Sequence, residues 1–155
     1  MSFRMTCVVV CFLAAHAPDA HAQEDLSERA RRAHQVVVGT VIDVAATFEN
    51  TTGGDQLIVS YVTVRVDELL KGTSEPVLAV KLEGGTVADL TLTVSDMPVM
   101  DAQDRAVFFL DRVAPGQYLP RDRGLGVMKL DATNRVRASG LALEDIENVV
   151  RRAAR

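Results

Sequence analysis

From Val36 onward the apolar residues of this chain recur at every second position, and that period limits the fold more than any other feature of the sequence. Val36, Val38, Thr40, Ile42 and Val44 form one series, and Val37, Gly39, Val41, Asp43 and Ala45 the other. The β-branched run Val36 to Ala46 therefore predicts a long first strand. Asn50 to Asp55 is dense in turn formers. Beyond it, Gln56 to Leu69 places Ile58, Val62, Val64 and Val66 inward, with Ser60 as the exception, and Tyr61, Thr63, Arg65 and Asp67 outward. The two runs read as a hairpin with long arms.

Lys71 to Pro76 is the next break, and a short strand from Val77 to Leu82 stops at Gly84-Gly85. Paired glycines after a strand predict positive φ or close backbone approach, hence a turn or bulge. A phosphate cradle would need a lysine and a following helix, which Gly84-Gly85-Thr86 lacks. Val87 to Val94 alternates loosely, Ser95 to Pro98 turns, and Ala106 to Asp111 is a dense apolar strand centred on Phe108, Phe109 and Leu110. Tyr118, Val127 to Leu130 and Arg135 to Ala138 are expected to finish the sheet.

Two segments keep a helical period instead. Residues 141–153 space Leu143, Ile146, Val150 and Ala153 along one face, with Glu144, Asp145 and Glu147 early and Arg151, Arg152 and Arg155 late, which complements the helix dipole at both ends. Glu24 to Ala33 is a thinner case, with Leu26, Ala30 and Ala33 on one side. Many short strands closed by one amphipathic helix predict a mainly β fold, a single small barrel or sandwich.

The N-terminus reads as an export signal. Arg4 supplies a positive start, Val8 to Ala15 a short apolar run, and Ala20-His21-Ala22 the small-x-small pattern cut by a signal peptidase, so cleavage is expected between Ala22 and Gln23. The run is far shorter than the roughly 18 to 20 residues of a spanning helix, and no membrane span is expected after cleavage. Val10 before Cys11 and Thr6 before Cys7 fit a lipoprotein site poorly. Expected boundaries are 1–22 for the signal, 23–35 for an N-terminal segment, 36–138 for the barrel and 139–155 for the C-terminal helix. The expected location is periplasmic or secreted.

Both cysteines leave with the signal, so an exported domain of about 130 residues relies on packing rather than disulfides. The net charge of −4 is unchanged by losing Arg4 and Asp19, which argues against a nucleic-acid or anionic-lipid partner. His34 is the one mature histidine, so any catalytic triad or histidine-containing zinc site would have to use it; no second ligand and no nucleophile motif accompanies it, and a surface histidine is the simpler reading. Asp96, Asp101 and Asp104 form an acidic cluster that invites a carboxylate-pair or calcium reading, but their spacing lacks the alternation of a calcium loop. Arg121-Asp122-Arg123 reads as a solvated charged turn. Tyr61 and Tyr118 are expected to be exposed and able to anchor a partner.

Several strings together carry a resemblance: Val37-Val38-Gly39-Thr40-Val41, Val64-x-Val66-x-Glu68-x-x-Lys71-Gly72, Leu82-x-Gly84-Gly85-Thr86, Asp96-Met97-Pro98 and Ala106-Val107-Phe108-Phe109-Leu110. The chain resembles exported bacterial domains of the netrin/TIMP-like family over roughly Val36 to Leu130. The resemblance implies an OB-like five-stranded barrel. It does not extend to the cysteine wedge of the family's metalloproteinase inhibitors, since the mature chain would begin at Gln23, and Gln103-Asp104-Arg105 stands where relatives tend to carry Gly-Glu. The expectation is a noncatalytic binding or accessory module, with no cofactor and no metal, contacting a protein or peptide through barrel loops. The alternatives are an envelope scaffold and a hydrolase using carboxylates among Asp96, Asp101 and Asp104.

Overall fold

The computed structural model describes residues 20–73 and 75–155, with side chains from 25 onward. The expected export signal falls almost wholly outside these residues, Cys7 and Cys11 included. Helix α1 (Ala20–Arg32) leads into β1 (Gln35–Asn50), β2 (Gln56–Lys71) and β3 (Val77–Glu83), followed by the short pair β4 (Gly85–Val87) and β5 (Leu90–Leu92). After these come β6 (Arg105–Ala114), β7 (Gln117–Pro120), β8 (Val127–Lys129) and α2 (Leu143–Ala153).

Strands β1, β2, β3, β7 and β6 are hydrogen-bonded in that order, and β6 returns to β1, so five strands close a ring. The junction of β3 with β7 is parallel, and β8 joins the edge of β6 beside β7. The strand pattern predicts a small barrel or sandwich, and the closed ring makes it a small five-stranded barrel, mainly β with a C-terminal helix. Closure depends on β1, which is bulged against β2 between Val36 and Val37, between Val38 and Gly39, and between Val41 and Asp43. Bulges bend a strand and increase its twist, which lets one long strand serve two sides of a small barrel. The third bulge leaves Ile42 without a partner on β2 and breaks the unbroken alternation expected from Val36 to Ala46. Val37 and Val41 point inward before it and Val44 after it, while Ile42 is pushed to 42% exposure.

Two apolar cores result, one on each side of β1 and β6. Inside the barrel lie Val37, Val41, Val62, Val64, Leu78, Val80, Leu82, Phe108, Leu110 and Tyr118. Outside it, Val36, Val38, Val107 and Phe109 are covered by Leu26, Ala30 and Ala33 of the α1 segment and by Leu143, Ile146, Val149 and Val150 of α2. Burial on both faces explains why these strands read as solid apolar runs. Lys71 ties the layers together: its Nζ donates to the carbonyls of Ala30, Arg31 and Ala33 at 2.7–2.8 Å, closing the C-terminus of α1. Above the ring of Phe109, Arg29 stacks at 6.0 Å and pairs with Asp122.

The loosely alternating Val87 to Val94 holds the last residue of β4, a turn with Ala88 at φ +51, and β5. Arg135 to Ala138 forms no strand; Val136 and Arg135 make single bridges, to Leu130 and Ala142. The C-terminal helix begins at Leu143, after a turn through Gly140 at φ +73.

Candidate functional site

Two clefts open at the end of the barrel where β1 turns into β2. The first, about 430 Å³, is bounded by Asp43, Val44 and Ala46 of β1, by Gly84 to Thr86 and Leu92 to Val94, and by Met97 to Ala102. Val62, Leu82 and Met100 line its apolar floor. The second, about 480 Å³, lies on the outer face of β2 and β3, floored by Val59 and bounded by Leu57, Lys81, Leu119, Pro120 and the tip residues Asn50 to Thr52. Glu83 and Met97 line both clefts, so the segment around Met97 is their common wall.

That wall is held by charge and by glycine. The Arg123 guanidinium reaches Glu83 at 2.9 and 3.2 Å and Asp96 at 2.5 and 3.1 Å. Asp96 is thereby held below the ordinary carboxylate range, chiefly by its hydrogen bond to Arg123. Asp122 and Arg123 both adopt left-handed backbone, φ +56 and +57, and Asp122 is steadied by Arg29. A side chain at Gly124 would overlap the Asp96 carbonyl, which is why this turn needs glycine to pack on the wall. Arg121-Asp122-Arg123, read as a solvated turn, is therefore a strut: Arg121 also binds Asp111 at 2.6 Å and the Arg32 carbonyl at 3.1 Å.

Gly84 and Gly85 behave as the sequence predicts, with φ +100 and +135. The inward Ser60, an exception to the apolar pattern, is explained by the same turn, since its hydroxyl donates to the Gly84 carbonyl at 2.7 Å. On the outer face Glu49 accepts from both Tyr61 and Lys81. These bonds, Lys81's first, hold the Glu49 carboxyl below its usual range, and the bond to Glu49 pushes the Tyr61 phenol up.

Tyr118, expected to be exposed, is 1% exposed, inside the barrel, with its hydroxyl donating to Glu75 at 2.8 Å. Its position in β7 alternates inward, so it is core and not an anchor. Tyr61 is half-buried on the outer face. His34 is exposed at the α1–β1 junction and touches neither cleft. Asp96, Asp101 and Asp104 do not form a coupled pair. Asp104 binds Lys129 at 2.5 Å, Arg137 at 3.7 Å and the Asp101 N–H at 2.8 Å. Burial pushes the Asp104 carboxyl up, but these three partners outweigh it and leave it lowered. Neither Asp96 nor Asp104 thus has the raised proton affinity of a general acid. Among the described residues no three His, Cys, Asp or Glu side chains gather as metal ligands, and no helix is long and apolar enough to cross a membrane.

Sequence reasoning passed over Met97, Met100, Lys81, Glu83 and Leu119. The signal present was modest: two methionines three apart in a loop flanked by aspartates, and two opposite charges, Lys81 and Glu83, along β3. No protein-family profile and no curated protein matches the chain.

Proposed function

We propose that this chain is an exported, noncatalytic binding module that holds a protein or peptide segment at the loop end of its barrel. One observation carries the reading: two clefts of about 430 and 480 Å³ share a single wall, lined on both sides by Met97 and Glu83. Mixed apolar and polar lining, with the charges along that wall already engaged by Arg123, suits recognition of a chain more than turnover of a substrate. The resemblance to netrin/TIMP-like domains supports the reading through the barrel. The pattern of the first 22 residues supports export, with cleavage between Ala22 and Gln23.

The test is affinity capture with the purified chain Gln23 to Arg155 against envelope and secreted proteins of its own organism, washed in salt and read by mass spectrometry. A salt-resistant partner lost with Met97→Arg is the expected result. An empty capture, or a partner retained by Met97→Arg, counts against recognition at the loop end. Intact mass of the exported protein checks the cleavage site.

A further inference from the structure

We infer that the open edge of β1 from Asp43 to Asn50 accepts an extended, basic peptide as an added strand, seated in the first cleft. The inference deepens the binding reading above and rests on it. Strand β1 is bonded to β6 only from Gln35 to Thr40. The loop continues that contact to Val41, through Val41 N–H to the Asp104 carbonyl and Gln103 N–H to the Val41 carbonyl. From Asp43 to Asn50 the strand is hydrogen-bonded to β2 on one side and to no strand on the other among the described residues, while Gly85 of β4 lies against the Ala46 side chain.

Gly84 N–H donates to the Ile58 carbonyl, so Ile58, Ser60 and Val62 of β2 turn their backbone groups toward β3. Leu57, Val59 and Tyr61 therefore bond Glu49, Thr47 and Ala45 of β1, by the alternation of an antiparallel ladder. The N–H and C=O groups of Val44, Ala46 and Phe48 are left facing the open edge. A row of unsatisfied backbone groups is a template for an extended chain.

The cleft lies along this same edge. Val44 and Ala46 form part of its wall, and Val62, Leu82, Met97 and Met100 offer an apolar floor for alternate side chains of an added strand. Charge selects the occupant. Asp43, Asp101 and Glu83 line this cleft with no lysine or arginine, and of the three only Glu83 is already held, by Arg123. Neither Asp43 nor Asp101 has an ion-pair partner among the described residues. The edge itself carries Asp43 and Glu49, the latter already paired with Lys81 of β3, and no basic residue. A second copy pairing through β1 would set like charges across the ladder, which is unfavourable. An occupant with apolar and basic residues in alternation satisfies both the floor and the rim.

The test is an amide and methyl NMR titration of the labelled protein with a capped ten-residue peptide alternating lysine and valine. An alternating glutamate and valine peptide, and a lysine–valine peptide interrupted by proline, serve as controls. The expected result is saturable shifts at the amides of Val44, Ala46 and Phe48 and the methyls of Met97 and Met100 with the first peptide alone. Ala46→Pro removes one edge N–H without touching a β1–β2 bond and should weaken binding about tenfold or more. Asp43→Asn with Asp101→Asn should lower affinity and its salt dependence. Absence of saturable shifts at the edge, equal binding of the glutamate peptide, or concentration-dependent edge shifts without peptide would each overturn the inference. A captured partner whose footprint avoids the edge would leave the binding-module reading standing and remove only this site.

Discussion

Gln35 opens β1 with no exposed surface, and neither its amide nitrogen nor its amide oxygen has a hydrogen-bond partner. Its register partner is Leu110, a barrel-interior residue, so the side chain is directed into the apolar core at the end away from the clefts. Gly72, at φ +99, packs against it there. A buried amide without partners costs about 1–3 kcal/mol relative to an apolar group of the same shape. Methionine matches the length and flexibility of glutamine and carries no donor. Gln35→Met is therefore expected to raise the free energy of unfolding by about 1–2 kcal/mol, or about 3–6 °C in Tm for a domain of this size. The assay is a urea transition followed by far-ultraviolet circular dichroism, since the chain has no tryptophan. The midpoint should rise with the slope unchanged, and Gln35→Glu, which buries a charge at the same place, should lower it. A fall of about 1 kcal/mol or more for Gln35→Met would refute the reasoning and assign the amide to internal water, which holds buried polar groups through two to four bonds.

Gly124→Ala drives a methyl group into the Asp96 carbonyl and should cost about 1–3 kcal/mol, with shifts concentrated at Asp96 and Met97 in the amide spectrum. Lys71→Met removes bonds to the carbonyls of Ala30 and Arg31 in the last turn of α1 and of Ala33 just beyond it, and should cost about 1–2 kcal/mol, seen as faster hydrogen exchange in α1 ahead of the barrel. The carboxyls of Asp96, Asp104 and Asp131 are all held below their ordinary values, Asp131 chiefly by the Arg135 N–H. The unfolded chain then binds more protons than the folded one in acid. Their stabilisation is complete above the unfolded value, about pH 4, and is lost as pH falls through the folded values. The urea midpoint should fall between pH 5 and about pH 3, and Asp104→Asn should flatten that fall; a midpoint that rises on acidification would contradict the assignment. Glu147 opposes the trend, since burial and Glu68 push its carboxyl up.

Features governed by neighbours in the chain are legible in the one-dimensional pattern. The period of two over Val36 to Ala46 and Gln56 to Leu69 specified β1 and β2, since alternate side chains of an extended chain must face opposite ways. The turn at Asn50 to Asp55 joined them, and Gly84-Gly85 marked positive φ because only glycine adopts it without strain. The spacing of Leu143, Ile146 and Val150 specified α2 and its buried face in the same way. Which apolar faces are covered follows from the closed barrel and the helices packed on it. Val36 and Val37 are both fully buried, although they point to opposite sides, because helices pack outside a barrel that is itself closed. Tyr118 is core because β7 happens to meet β6 and β3 at that residue. The bulge at Ile42 is a response to barrel curvature, which local spacing does not encode. Asp96, Asp104 and Arg123 find their partners 25 or more residues away, and the open edge of β1 exists only because β6 stops pairing at Thr40. Long-range pairing sets these features, and a one-dimensional pattern carries no distance between segments that meet only after folding.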